Sequence, residues 1–345
     1  MANPRGWLRN APFDLTLIVG VAAIALLSGG IVLVQPQLFP VILFIDLWLL
    51  GYQHVVSTFT RLTFDTESFR QHRFLVLGLP VIVLAVVLAG AWVAGAWILS
   101  TTYLYWQWFH YTRQSYGIER AYRRKVSGQV AGHPDLTRWA LYLVPLWGIL
   151  YRSYQSPETF LGIELKVLPV AGPVVFVAGL AALAALAAWG SQVVTALVRG
   201  ERLQAHTLYV ACHMVIFVVG YRLIEDINFG WLVVNVWHNA QYILFVWMFN
   251  NRRFREGVDP QARWLSFISQ RRNWPLYFLV CLVLSTAVYF GLERFLRIIQ
   301  SYSTLPLILI AYQAINFHHY LVDGMIWKLR KKPLQQTLGI EGQAS

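Results

Sequence analysis

Five of the nine histidines, His54, His110, His238, His318 and His319, sit inside apolar segments of the chain. A basic cluster follows each segment roughly one to four helical turns downstream: Arg61; Arg120 with Arg123, Arg124 and Lys125; Arg252 with Arg253; Lys328 with Arg330. If these segments span a membrane, the imidazoles lie at a similar depth, nearer one surface. An ionisable residue inside a bilayer is unfavourable and marks a functional site by default. Imidazole nitrogen suits iron, copper, zinc and nickel. Thiolate ligands are lacking at these places, and Asp46 and Asp323 are the intramembrane carboxylates near the ring of histidines. Four neutral histidines with one carboxylate fit a non-haem iron centre. With an open coordination position, such a centre would activate O2 against an apolar substrate taken laterally from lipid, while the bilayer keeps water from the reaction.

Helical spacing sorts the neighbours of each histidine. Asn235, His238 and Tyr242 fall at i, i+3 and i+7 and share one face. That face is polar inside an apolar run, so it is expected to point into a bundle, either as a ligand with supporting amides or as a polar helix–helix contact. Tyr312, Asn316 and Asp323 fall at i−7, i−3 and i+4 from His319, whereas His318 is surrounded by Ala311, Ala314, Ile315, Leu321 and Val322. His319 is therefore the expected ligand of the pair and Asp323 the expected orienter of its far nitrogen; a simple Asp–His pair near the headgroups is the competing explanation. Gln107, His110 and Gln114 share a face beside Arg113, amid aromatic residues that would line a pocket for a long unsaturated molecule or form an interfacial belt. His54 follows Asp46 by eight residues, and Asp46 would act as a proton relay, as support for a ligand or as partner to a cation. His206 and His213 are seven apart on one face; His213, the deeper, is a possible fifth ligand or a hydrogen-bonded packing residue. The expected metal ligands are thus His54, His110, His238, His318 or His319, and His213, with Tyr242 and Asp323 as candidate catalytic groups. His72 and His133 fall in loops.

These residues need long apolar elements to carry them. With 57% hydrophobic and 13% charged residues and a mean hydropathy of +0.51, the chain belongs with integral membrane proteins. Runs long enough to span recur roughly at 13–34, 38–59, 74–96, 98–118, 137–152, 167–189, 204–223, 230–250, 274–292 and 302–325. The expected fold class is an all-α, polytopic membrane bundle of about ten helices, forming a single domain over 1–345. The first run is too long for a cleaved signal peptide, and no small-residue cleavage site follows it. The third and fourth runs meet near Gly95 and require a tight turn there.

The net charge of +12 does not point to nucleic acid, because the cations follow the topology. Arg and Lys concentrate at the N-terminus, in alternate loops and in the tail, while the other loops are nearly uncharged, mixed or acid-rich; Arg294 and Arg297 are the exceptions. By the positive-inside rule both termini are cytoplasmic, as an even number of spans requires, in a bacterial inner or cell membrane. The histidines then lie about 8 to 14 residues, on the order of 12–21 Å, before the basic edge, in the cytoplasmic half. Cys212 and Cys281 both fall in apolar runs, and neither a disulfide framework nor a CxxC site is indicated.

The motifs Gln53-His54, Phe109-His110-Tyr111, Trp237-His238 with Tyr242, and Phe317-His318-His319 followed by Asp323 occur in an order that resembles the Brp/Blh membrane β-carotene cleavage oxygenases. The resemblance lies in motif order and rough spacing across most of the chain. Thr58 and Ser115 stand where the family has acidic residues after its first two histidines, and Tyr242 replaces the second histidine of its third motif. The family's last histidine matches either His318 or His319. The resemblance implies non-haem Fe(II), O2 as co-substrate, and dioxygenation or a related oxidation of an isoprenoid, carotenoid or other long unsaturated lipid. The HxxxH and HxxHH boxes of membrane desaturases are missing from the sequence. Two other classes stay open. A haem protein would explain His238-xxx-Tyr242 and His318-His319, yet no later HxH and no helix with two histidines 13–14 apart is present. A transporter would use the histidines as a proton relay with Asp46, Asp323 and Arg113 as gating charges, though paired inverted repeats are not evident.

Overall fold

The computed structural model describes residues 3–128 and 130–340. Among them, ten helices of 19 residues or more form one bundle: α1 (Ala11–Val34), α2 (Pro36–Thr63), α3 (Thr66–Ala94), α4 (Ala96–Arg123), α5 (Pro134–Gln155), α6 (Gly172–Val198), α7 (Ala205–Leu223), α8 (Ile227–Arg253), α9 (Arg271–Gln300) and α10 (Leu307–Ile326). A two-residue hairpin, Thr159–Phe160 with Ile163–Glu164, is the strand pairing among the described residues. Short helices at Arg263–Ile268 and Lys332–Leu338 cover one end.

Six of these helices, α1, α2, α3, α6, α7 and α9, are long and apolar enough to cross a membrane. Their outer faces carry large exposed aliphatic and aromatic side chains, such as Val81, Val86 and Trp92 on α3 and Phe176 and Val177 on α6. Water would leave such faces uncompensated, whereas lipid tails solvate them. The chain is an integral membrane protein. The other four helices are of similar length and carry more polar residues.

Local sequence explains the boundaries. Asn10 caps α1 by accepting the Phe13 amide at 3.0 Å, and Asp226 caps α8 by accepting those of Asn228 and Phe229 at 2.7 and 3.0 Å. The tight turn expected between the third and fourth runs is Gly95 alone, at φ +89°, a conformation that side chains disfavour. The fifth run, read as 137–152, is longer in the structure and holds Pro145 within α5. α3 bends at His72, whose φ of −118° departs from helical, so the amphipathic turns before it lie apart from the apolar run. In α2, a π-helical turn at Leu47–Gly51 lies between Asp46 and His54. A wide turn of this kind resets which face follows it and is frequent at functional sites.

Helix α8 is the axis of the bundle. Twenty of its 27 residues are buried, and it contacts α1, α2, α4 and α7. It crosses α7 where Gly230 lies against the Gly220 carbonyl, leaving no room for a side chain. Arg152 of α5, fully buried, satisfies the carbonyls that α7 leaves unpaired at its end: it donates to Gly220 at 2.8 Å, to Glu225 at 2.5 Å and to Ile224. At the other end the segment before α1, the 124–128 turn and the C-terminal helix are tied together. Lys125 Nζ donates to the Leu338 and Gly339 carbonyls at 3.0 and 2.8 Å, and Arg252 donates to the Leu8 and Leu338 carbonyls. The first and last described segments thus meet at the same basic end.

Candidate metal centre

α2, α4, α8 and α10 each turn one polar face inward, and the faces meet. His54, His110, His319 and Asp323 place one nitrogen or oxygen each within 4.8 Å of one another, and none of the four is more than 8% exposed. His54 Nε2 and His319 Nε2 are 2.6 Å apart. Asp323 Oδ2 is 3.5 Å from His319 Nε2 and 3.9 Å from His110 Nε2. His110 Nε2 is buried with no hydrogen-bond partner. Three imidazole nitrogens and a carboxylate oxygen thus converge on one point, away from water.

The surroundings orient these groups. On the far side of the His319 ring, Nδ1 lies 3.3 Å from the Thr58 hydroxyl, which also donates to Asp323 Oδ1 at 3.3 Å. Tyr242 OH donates to the same oxygen at 2.6 Å and receives the Trp327 indole N–H at 2.9 Å. The Tyr242 ring stacks on His54 at 4.1 Å, and Tyr320 stacks on His110 at 4.3 Å. Arg61 is held between Phe249 and Trp327, 4.4 and 4.1 Å from the ring centroids. Asp323 is therefore fixed through Oδ1, and its other oxygen is left for the cluster.

His238 stands alongside the group of four, not inside it. Its ring centre is 4.6 Å from that of His54 and 5.0 Å from that of His110, and Tyr111 packs on it at 3.9 Å. A chain of hydrogen bonds passes beside it through Tyr111. Trp231 Nε1 donates to Gln107 Oε1 at 2.6 Å, Gln107 Nε2 donates to Tyr103 at 2.7 Å and to Tyr111, Tyr111 donates to Asn235, and Asn235 Nδ2 donates to Asp46 Oδ2 at 2.5 Å. Asp46 serves this network and lies outside the cluster.

Three expectations need correction. His318 points to the other side of α10, where its Nε2 meets the Leu75 carbonyl at 2.7 Å and its ring stacks on Phe59. One residue's turn on a helix, about 100°, takes it away from the cluster. His213 is spent on the Leu141 carbonyl at 3.2 Å and packs on Phe217, so α7 brings no ligand. Asp323 does not grip the far nitrogen of His319: it stands on the Nε2 side with the other ligand atoms, and Thr58 takes the far side. Thr58 itself was missed as a site residue, although it lies four residues after His54 on the same helical face. Tyr320, Tyr111 and Trp327 gave no signal beyond being aromatic. Of the expected supports of His110, Gln107 enters the hydrogen-bond chain and Gln114 donates to the His238 carbonyl at 3.2 Å.

Two cavities meet at the cluster. The first, about 680 Å3, is bounded by Tyr52, Phe160, Tyr289 and Leu309 and reaches His54, His238 and His319. The second, about 660 Å3, starts at His110, Tyr242 and Asp323 and runs to the basic end. Along α4 the two linings alternate from Trp106 to Tyr111, with Gln107 and Tyr111 on the first cavity and Trp106, Phe109 and His110 on the second, and along α10 the lining changes between His319 and Asp323, with Tyr320 facing both. The cluster is thus the partition between them. No protein-family model, curated protein or solved structure matches the chain.

Proposed function

We propose that His54, His110, His319 and Asp323 form a non-haem Fe(II) centre, and that the protein is a membrane-embedded oxygenase acting on a long apolar substrate of the isoprenoid, carotenoid or unsaturated-lipid type. The observation that carries this reading is the convergence of three buried imidazole nitrogens and one carboxylate oxygen within 4.8 Å, with His110 Nε2 lacking any hydrogen-bond partner. A buried polar atom without a partner is unfavourable, and a cation satisfies all four donors at once. The donor set, nitrogen-rich with one carboxylate and no thiolate, suits iron among the first-row metals. The motif order shared with Brp/Blh oxygenases points the same way.

Iron held here would supply activation of O2. The chain's own residues do the rest. Thr58 and Tyr242 fix the tautomer of His319 and the rotamer of Asp323, the kind of outer support on which metal affinity depends. The first cavity offers aromatic walls to an apolar chain and ends at His54, His238 and His319. His238, beside the ligand group, is placed to touch what fills that cavity. Bundle and lipid together keep water from the reacting atoms. We read ten spans, counting α4, α5, α8 and α10 with the six apolar helices, and place the basic end in the cytoplasm.

A second reading is favoured by one specific observation, the two cavities that approach the cluster along the helix axis from opposite ends. That arrangement also suits a carrier in which the histidines and Asp323 form a proton-coupled gate. Metal analysis and an optical spectrum on detergent-purified protein separate the two. About one iron per chain without a Soret band, and O2 uptake with a lipid or carotenoid substrate, is the expected result. Protein prepared with iron available that binds none overturns the oxygenase and leaves the carrier; a Soret band would make the centre haem.

A further inference from the structure

The second cavity has a polarity gradient that the proposed chemistry does not use. Its deep end is His110, Tyr242 and Asp323, and Asp323 is the one carboxylate among its lining residues. Its middle is walled by Trp106, Phe109, Phe245 and Trp327. Its mouth carries Arg113, Arg120, Arg124, Lys328 and Arg330. Arg113, Arg120 and Arg124 are spaced i, i+7 and i+11 on α4 and the turn after it, hence on one face, and the other two cations close the mouth from the segment after α10. Among the described residues none of these five cations is in an ion pair with a carboxylate, and Arg124 Nε is buried without a hydrogen-bond partner. Cations at a basic membrane edge normally face outward to anionic headgroups; these five instead converge on a concavity. From His110 to Arg120 is ten residues, about 15 Å of helix.

We propose that this cavity binds an amphiphile with an anionic headgroup, its head among the five cations and its chain directed inward along the aromatic wall to the cluster. The size fits, since cavities of roughly 300–1,000 Å3 hold ligands of this kind. Unpaired guanidinium groups recognise phosphate or carboxylate through charge-assisted hydrogen bonds. The site does not depend on the metal; only its service to the reaction rests on the oxygenase reading.

The test is equilibrium binding of radiolabelled dodecyl phosphate to the full chain in nanodiscs of phosphatidylcholine, with dodecanol and inorganic phosphate as competitors. Saturable binding is expected, displaced poorly by either competitor. Arg120→Gln with Arg124→Gln should weaken it on the order of tenfold or more, Arg120→Lys with Arg124→Lys should keep most of it, and Arg199→Gln with Arg202→Gln, basic residues outside the cavity lining, should leave it unchanged. The lysine pair also shows whether loss in the glutamine pair is misfolding. Displacement by dodecanol at equal concentration, or equal weakening by the 199/202 pair, overturns the proposal. Displacement by inorganic phosphate at equal concentration overturns the amphiphile. Phosphatidylglycerol added to the nanodiscs distinguishes sources: competition assigns the site to a bilayer lipid, and its absence assigns it to a single-chain amphiphile. Iron is measured on the same samples, so a metal-free protein that binds dodecyl phosphate fails the oxygenase reading alone.

Discussion

Asp323→Asn separates two roles that a carboxylate can play beside a metal-binding histidine. Asparagine keeps the shape and offers a carbonyl oxygen to Tyr242 and Thr58, whose hydrogen bonds to Oδ1 are 2.6 and 3.3 Å. What it removes is the charge at Oδ2, which lies 3.5 and 3.9 Å from the His319 and His110 nitrogens. Opposite unit charges about 4 Å apart attract by roughly 4 kcal/mol at an effective dielectric constant of about 20, and a dication attracts more strongly, so this is a lower bound. At about 1.4 kcal/mol per factor of ten, the variant should hold Fe(II) at least on the order of a thousandfold more weakly. A carboxylate acting only from behind the ring would cost roughly 10–100-fold. The assay is anaerobic equilibrium dialysis of Fe(II) against a competing chelator, with circular dichroism to verify the helices. Native affinity in the variant refutes a carboxylate among the ligands, and a loss confined to the smaller range returns Asp323 to a supporting role.

Alanine at His54, His110 or His319 should each abolish iron retention with the bundle intact, whereas His318→Ala and His213→Ala should retain it; full occupancy in any of the first three removes that residue from the ligand set. Thr58→Val deletes the contacts to His319, Asp323 and Tyr242 and should weaken iron roughly 10–100-fold, read by the same dialysis. Acidification should release the metal, because protons compete for imidazole nitrogen and carboxylate oxygen; retention independent of pH across the imidazole range would argue against histidine ligation. Gly230→Ala would drive a methyl into the Gly220 carbonyl and the Arg152 guanidinium, at about 1–3 kcal/mol or more, seen as a lower temperature of thermal aggregation with no change of bound metal at low temperature.

Much of the site was legible because helical period converts spacing into direction. The choice of His319 over His318 follows from which of the two shares a face with Asn316 and Asp323, and it is His319 that lies in the cluster. The same rule puts His54 and Thr58 on one face, but a threonine in a helix ordinarily bonds its own backbone, so nothing in its type announced a contact with His319. The side of the ring on which Asp323 falls depends on the rotation of α10 against α2 and α4, which is a property of packing between helices and leaves no trace in one helix's spacing. His213 misled for a related reason. Its face is polar by spacing, yet what the face meets is a backbone carbonyl of α5. Arg152 was invisible too: its partners are carbonyls freed by the way α7 ends, and backbone groups carry no residue code.

The four long helices that lack the apolar character of the other six are instructive on this point. α4, α8 and α10 carry His110, Asn235, His238, Asn239, His319 and Asp323, and these polar residues are what lower their apolar content. In lipid they would be unfavourable. They are tolerated because α8 sits at the bundle axis with most of its surface covered, and because Asn235 finds partners on α2 and α4 and Tyr242 on α2 and α10. The apolar helices α3, α6 and α9 pack on α10, α5 and α2 and turn their large side chains outward. Departure from hydropathy and possession of the site therefore coincide in α4, α8 and α10, while α2 carries His54 within an apolar helix and α5 departs without contributing to the cluster. Replacing Asn235 or Gln107 by leucine would make its helix more apolar but would leave Asp46 or the Trp231 N–H without its partner, so the bundle should become less stable in detergent and not more.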